Sequence, residues 1–356
     1  RRINTKPIPR LGGAAVFLGL VVACIVQILG TWYLGWPPVL VPHPRLHISY
    51  PMLALSFTVI FATGAIDDVF QLTPKQKLAG QVLAALIACI GGLKIGVIVN
   101  PFAPGEIMLG WLAYPITVIY LVAFTNIINL IDGLDGLACG VSTISAISML
   151  VIALLVSESD VALVMASLVG ACLGFLPFNR NPAKMFMGDT GSTFLGYILA
   201  TISIQGLFKY YAIVSFAVPF LILGLPMFDT LFAIIRRLAH GQNPMAPDRG
   251  HIHHRLIDMG LNQKQAVAAL YVISSILGLS AVVLTSSGAI KAMLFLMALA
   301  VAAFLASRVI FRRDIDKALQ AEKAAAEEKS TETATPAETV PAEPEEETNE
   351  EKKEEA

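Results

Sequence analysis

Ten apolar stretches of bilayer-spanning length follow one another along this chain, and that succession constrains its fold more than any motif. They run at about residues 11–30, 50–66, 78–93, 111–128, 136–156, 161–177, 191–206, 211–235, 265–286 and 290–308. A crossing takes about 17 to 25 helical residues, and lipid offers no water to an unpaired backbone, so each stretch must be helical. The fold class expected is all-α, a polytopic integral membrane protein of about ten transmembrane helices. A hydrophobic content of 56% supports this, because a soluble chain could not hide so much apolar surface.

Alternate connections differ in charge. One set holds Arg1, Arg2, Lys6, Arg10, Lys75, Lys77, Arg180, Lys184, Arg236, Arg237, Arg249, Arg255 and Lys264; the other holds Arg45, Lys94, Lys209 and Lys291. Lysine and arginine gather on the cytoplasmic side, so the first set is placed inside. The same inner connections collect Asp67, Asp68, Asp132, Asp135, Asp189 and Asp248 together with His251, His253 and His254, whereas the outer ones hold Glu106, Glu158 and Asp160. The positive-inside bias does not select for acids, so the inner carboxylates call for a cation or a cationic ligand.

Two domains are expected: a transmembrane catalytic domain over 1–313, and an acidic, largely disordered cytoplasmic tail over 314–356. The tail carries 15 of the 26 acidic residues and turns rich in Pro, Thr and Glu, a composition unable to bury a core. Cys24, Cys89, Cys139 and Cys172 lie inside apolar runs without metal-site spacing. No stretch has the basic, aromatic-interleaved character of a nucleic-acid surface.

Four segments carry more polar residues than a hairpin between helices needs. Asp67 and Asp68 are adjacent at the inner end of the second span, where the helix dipole is negative and acid is unfavourable. Adjacent helical residues point about 100° apart, so one can face a metal or phosphate while the other faces a lysine; Lys75 and Lys77 follow closely. In the segment N-I-I-N-L-I-D-G-L-D-G, Asn126 and Asn129 are three apart, as are Asp132 and Asp135, which brings each pair to one side of a helical turn. Asn179 precedes M-G-D-T-G-S, where Asp189 is either a helix cap or an oxygen ligand for Mg²⁺. The loop from Arg236 to Leu256 collects four His and four Arg, donors suited to phosphate and sugar hydroxyls. Asp229, near the inner end of the eighth span, either lines the same cavity or pairs with Arg236 or Arg237.

Taken in order, P-R-L-G-G at 9–13, the Asp67–Asp68 pair, N-x-x-N-L-x-D-G-L-D-G, G-D-T-G-S and D-R-x-H-I-H-H-R-L at 248–256 resemble the polyprenyl-phosphate N-acetylhexosamine-1-phosphate transferases, glycosyltransferase family 4. Gln71, where the peptidoglycan branch has Lys, and the order His251, Ile252, His253, His254 fit the UDP-GlcNAc branch better than the phospho-MurNAc-pentapeptide branch. Such proteins usually carry one more helix before P-R-L-G-G, so this chain is expected to lack its first span.

The resemblance implies an Mg²⁺-dependent enzyme, with Mn²⁺ as an alternative ion, that transfers GlcNAc-1-phosphate from UDP-GlcNAc to undecaprenyl phosphate. The products are undecaprenyl-diphospho-GlcNAc and UMP, at the first step of teichoic-acid or O-antigen type polysaccharide synthesis. Asp189 and Asn129 are implied metal ligands; Asp67, Asp68 and Asp132 catalytic residues; Lys77, Asn126, Asp135, Asn179, Arg249, His251, His253 and His254 substrate contacts. The setting is a bacterial plasma membrane with the active site facing the cytoplasm, and a homodimer is compatible with it. The rival from another class is a cation-coupled transporter, whose carboxylates would cluster near the bilayer midplane.

Overall fold

The computed structural model describes residues 8–40, 48–99, 105–206, 218–239 and 252–287, all within one compact unit spanning 1–295. In chain order the helices are α1 (Gly12–Leu34), α2 (Tyr50–Phe70), α3 (Pro74–Ile90), α4 (Ala113–Ile131), α5 (Leu137–Leu155), α6 (Ser159–Asn179), α7 (Gly188–Gly206), α8 (Gly224–Ala239), α9 (Ile252–Asp258) and α10 (Gln263–Ser287). Among the described residues six helices are long and apolar enough to cross a membrane: α1, α2, α4 with the short turn before it, α5, α6 and α10. The chain is a polytopic, all-α membrane protein. The stretches expected at 78–93 and 191–206 are the helices α3 and α7, outside those six; 290–308 and the tail from 314 lie outside the described residues.

A two-stranded antiparallel hairpin joins α3 to α4, β1 (Val97–Val99) pairing β2 (Glu106–Met108) with Ile98 opposite Ile107. It was not expected from the sequence, which reads there as an outer loop.

Helix α7 is the hub. Every residue from Thr190 to Gly206 is buried, so α1, α2, α4 and α5 enclose it on all sides. Its small residues allow this. A Cβ on Gly13 of α1 would stand 2.1 Å from the Gly191 nitrogen, one on Gly64 of α2 would stand 2.6 Å from the Asp189 carbonyl, and one on Gly196 would stand 2.6 Å from the Phe124 carbonyl of α4. Three helices thus touch α7 backbone to backbone, the contact by which helices associate where lipid gives no hydrophobic drive. Phe17 stacks on Phe61 at 4.1 Å and meets Phe194 edge-on at 5.3 Å, which fills the space beside the crossing. The outward faces carry Leu18, Val22, Leu55, Leu83, Ile119 and Leu154, exposed apolar side chains suited to lipid.

At one end of the bundle, the Tyr50 hydroxyl and the Gln205 amide both donate to Asp160 Oδ2, at 2.6 and 2.7 Å. This ties together the start of α2, the start of α6 and the end of α7. The opposite end gathers the end of α2, the turn between α4 and α5, the end of α6 and the starts of α1, α7 and α10.

Candidate active site

At that second end lies a cavity of about 420 Å³ lined by Arg10, Asp68, Asn129, Asp132, Asp135, Asn179, Asn181, Phe186, Gly188, Asp189 and Gln263, among others. Its floor is the first turn of α7. Phe186 N–H donates to the Pro9 carbonyl, and Gly12 and Gly13 donate to the carbonyls of Phe186 and Met187 at 3.0 and 2.9 Å. The P-R-L-G-G segment therefore lies along the approach to α7 and brings Arg10 to the rim. Gly188 turns there at φ 72°, and a side chain on it would strike the Arg10 carbonyl and the Asp68 carboxylate.

The two adjacent aspartates divide their work. Asp68 caps α7: Asp189 N–H donates to Oδ1 at 2.9 Å, and the Thr190 N–H and hydroxyl both donate to Oδ2, at 2.8 and 2.5 Å. An acid misplaced at the end of its own helix is well placed at the positive start of another. Asp189 is therefore not the cap, and its carboxylate lies in the cavity lining with Oδ1 held by Lys77. Asp67 accepts from Leu72 N–H at 2.8 Å and from the Lys77 ammonium at 2.9 Å; Lys77 also bonds Asp189 at 2.5 Å. Lys77 and Asp67 stand behind Asp189 rather than in the lining.

In the turn between α4 and α5, Asp135 accepts from Asn181 Nδ2 at 2.9 Å and from Ala183 N–H at 3.1 Å, and the same Nδ2 reaches Gln263 Oε1 at 2.7 Å. The Tyr271 hydroxyl of α10 donates to the Gly136 carbonyl, seating α10 on this turn. Asn129 Oδ1 accepts from the Ser192 hydroxyl at 2.9 Å. Asn179 is 2% exposed; its Nδ2 donates to the Met185 carbonyl, and its Oδ1 has no partner among the described residues.

Asp132 differs from its neighbours. It is half-buried, lines the cavity and accepts no hydrogen bond among the described residues. Burial first, then the negative charges of Asp189, Asp68 and Asp135, push its carboxyl up to about 7. Four carboxylates thus share one small cavity, with Arg10 in its lining and Lys77 behind Asp189.

Asn126 is not among the residues that line the cavity. Its Nδ2 donates to the Oε1 of buried Gln81 at 2.7 Å and to the Val122 carbonyl at 2.8 Å, and its Oδ1 accepts from Gln81 Nε2 at 3.3 Å, a reciprocal amide pair between α3 and α4. Asp229 accepts from Ile252 N–H at 2.7 Å, at the first residue of α9. Arg249 and His251 lie outside the described residues; His253 and His254 fall on α9, and their side chains are not described.

The sequence pattern described as glycosyl transferase family 4 matches residues 50–207, the stretch from α2 through α7. A probable undecaprenyl-phosphate N-acetylglucosaminyl 1-phosphate transferase of Bacillus subtilis is 40% identical over 289 residues, 81% of this chain and 76% of that one. The chain belongs to glycosyl transferase family 4. Within it, a decaprenyl-phosphate N-acetylglucosaminephosphotransferase of Mycolicibacterium smegmatis is 32% identical over 76% of this chain and 70% of its own. An undecaprenyl-phosphate alpha-N-acetylglucosaminyl 1-phosphate transferase of Salmonella typhi is 29% identical over 78% and 72%. The family match ends at residue 207, so Gln263 of the site, on α10, lies beyond it.

Arg10, Asn181, Phe186 and Gln263 line the cavity without having been singled out from the sequence. Arg10 had a signal, its place in P-R-L-G-G; Gln263 had none, because only the folding of α10 brings it to Asn181.

Proposed function

We propose that this family-4 chain transfers GlcNAc-1-phosphate from UDP-GlcNAc to undecaprenyl phosphate on the cytoplasmic face of a bacterial membrane, releasing UMP. The observation that carries this reading is the unpartnered Asp132 in a cavity shared with Asp68, Asp135 and Asp189. An unpartnered acid beside three further carboxylates at the foot of a helix suits a divalent cation and a diphosphate together. Carboxylates at helix ends rather than mid-helix favour the enzyme over a transporter.

The donor set fits Mg²⁺, a hard ion that takes one or two carboxylates and completes its shell with phosphate and water. Among the described residues no three acidic, His or Cys side chains close on one point. Asp189 and the Asn129 carbonyl would hold the ion, and when bound it neutralises charge on the diphosphate. The lipid phosphate oxygen forms a bond to the β-phosphorus, the bond from that phosphorus to the bridging oxygen breaks, and UMP departs with the electron pair.

The protein's part is positioning and proton control. Arg10 faces the diphosphate from the rim. Lys77, fixed by Asp67, orients Asp189, while Asp68 fixes the turn on which Asp189 sits. Asp132, held near neutrality, suits the removal of a proton from the lipid phosphate at working pH. Asp67 and Asp68 are thereby positioning residues, and Asp132 is the catalytic acid–base group.

The test is UMP release by purified protein with Mg²⁺, undecaprenyl phosphate and UDP-GlcNAc, beside Asp189→Asn and a UDP-MurNAc-pentapeptide control. Lipid-dependent release that Asp189→Asn reduces by at least about a hundredfold is expected. Release from the pentapeptide donor alone moves the chain to the peptidoglycan branch, and no release from folded protein overturns the assignment.

A further inference from the structure

A second depression, of about 660 Å³, adjoins the first and shares Asp135 and Asn181 with it, yet its polarity is reversed. Arg180, Lys184 and Lys264 line it, all exposed, and none makes an ion pair among the described residues. The one carboxylate in its lining, Asp135, is turned toward Asn181 and Ala183, whose N–H groups both donate to its Oδ2, and three cations outnumber its single charge. Its remaining wall is apolar, with Leu176, Val267 and Tyr271 among the lining side chains. It sits where two helices of spanning length end, one closing at Asn179 and the other opening at Gln263, so a bilayer that these helices cross would set it at the level of the headgroups.

We propose that this depression is a binding site for an anionic phospholipid of the cytoplasmic leaflet, its phosphate among the three cations and its upper chain against the apolar wall. The site rests on the orientation proposed above. Cations left unpaired in a concave site at headgroup depth favour an anion, and an apolar wall below them favours one that carries hydrocarbon. Occupancy has a consequence for the neighbouring cavity. Segment 180–184, which the lipid would steady, carries Asn181, the side chain that holds Asp135 and Gln263 together. Turnover is therefore expected to rise when anionic lipid is present.

The test compares full-length parent protein with the variant Arg180→Gln/Lys184→Gln/Lys264→Gln in nanodiscs of phosphatidylcholine with and without phosphatidylglycerol. Lipid retention is read by native mass spectrometry, and turnover is read beside it. Each cation near an anionic surface is worth roughly a fivefold preference, so the triple variant should lose phosphatidylglycerol preference on the order of a hundredfold. It should lose the stimulation by that lipid and match the parent in phosphatidylcholine alone. Lys75→Gln removes a cation of the same face outside the depression and should change neither readout.

Equal retention by parent and triple variant overturns the proposal, as does an equal loss in Lys75→Gln. A raised KM for undecaprenyl phosphate in phosphatidylcholine alone also overturns it, since the cations then serve the acceptor. If the triple variant does not fold, each single substitution is expected to cost about fivefold in retention. Retention does not depend on turnover, so failure of the enzymatic reading leaves this test intact.

Discussion

Asp132 is the residue whose behaviour the structure specifies most sharply. An aspartate ordinarily titrates near about 4, and here burial and three neighbouring acids hold it up to about 7. The folded state therefore binds a proton that the unfolded chain releases. Stability from this group is present below about 4 and is lost as pH rises through about 7 in the absence of a divalent cation. Thermal melting without Mg²⁺ should fall between pH 5 and pH 8, Mg²⁺ should restore it most at the upper end, and Asp132→Asn should flatten the slope; a slope unchanged in Asp132→Asn would sink this account. Asp68 makes a contrasting case. Its two oxygens take three donors from the start of α7, so Asp68→Ala should lower stability by about 1–2 kcal/mol through the lost cap. It should also cut turnover by loosening the turn beneath Asp189. At this scale the sequence was legible in part. Asp67, Asp68, Asn129, Asp132, Asp135 and Asp189 announced themselves as polar excess at helix ends, but which aspartate caps and which stays open depends on partners 121 and 122 residues away, a separation no local spacing encodes.

The helices were legible because each apolar stretch must be a helix in lipid, whatever its propensities. The role of α7 was less so. Its run of Gly, Ser and Thr reads as a weak span, and its hydropathy falls short because it is buried by protein on every side rather than by lipid. The same glycines make a test of packing. Gly13→Ala places a Cβ 2.1 Å from the Gly191 nitrogen, so α1 and α7 must separate, at a cost of about 1–3 kcal/mol or more. Gly174→Ala, in α6, meets nothing within 4 Å and should be neutral or stabilise by up to about 1 kcal/mol, as Ala does over Gly in a helix interior. Thermal melting in detergent separates the two, and equal tolerance of both would remove the backbone-to-backbone account of the hub. The hairpin between α3 and α4 illustrates the opposite limit. Three-residue strands leave too short an alternation for sequence periodicity to register.

For the whole molecule, the charge count and the fold speak to the same alternation. The connections assigned to one side by their Lys and Arg include the starts of α1, α7 and α10 and the ends of α2, α4 and α6. All of these converge on the carboxylate cavity. The connections assigned to the other side include the starts of α2 and α6 and the hairpin before α4, and the Tyr50–Asp160–Gln205 cluster binds the first two to the end of α7. Two independent properties, charge bias in the loops and convergence of the helix ends, therefore sort the connections alike. The bias of thirteen against four predicts that the cavity end faces the cytoplasm. Lys75→Cys lies beside the cavity end, and Met108→Cys, 77% exposed in its native form, lies on the hairpin at the other. In intact cells an impermeant maleimide should label Met108→Cys and spare Lys75→Cys, and permeabilised cells should label both. The native Cys89, Cys139 and Cys172 are buried and Cys24 lies within α1, so their background should be low. Labelling of Lys75→Cys from outside would invert the molecule, separate the cavity from a cytoplasmic nucleotide-sugar pool, and overturn the transferase reading together with the orientation.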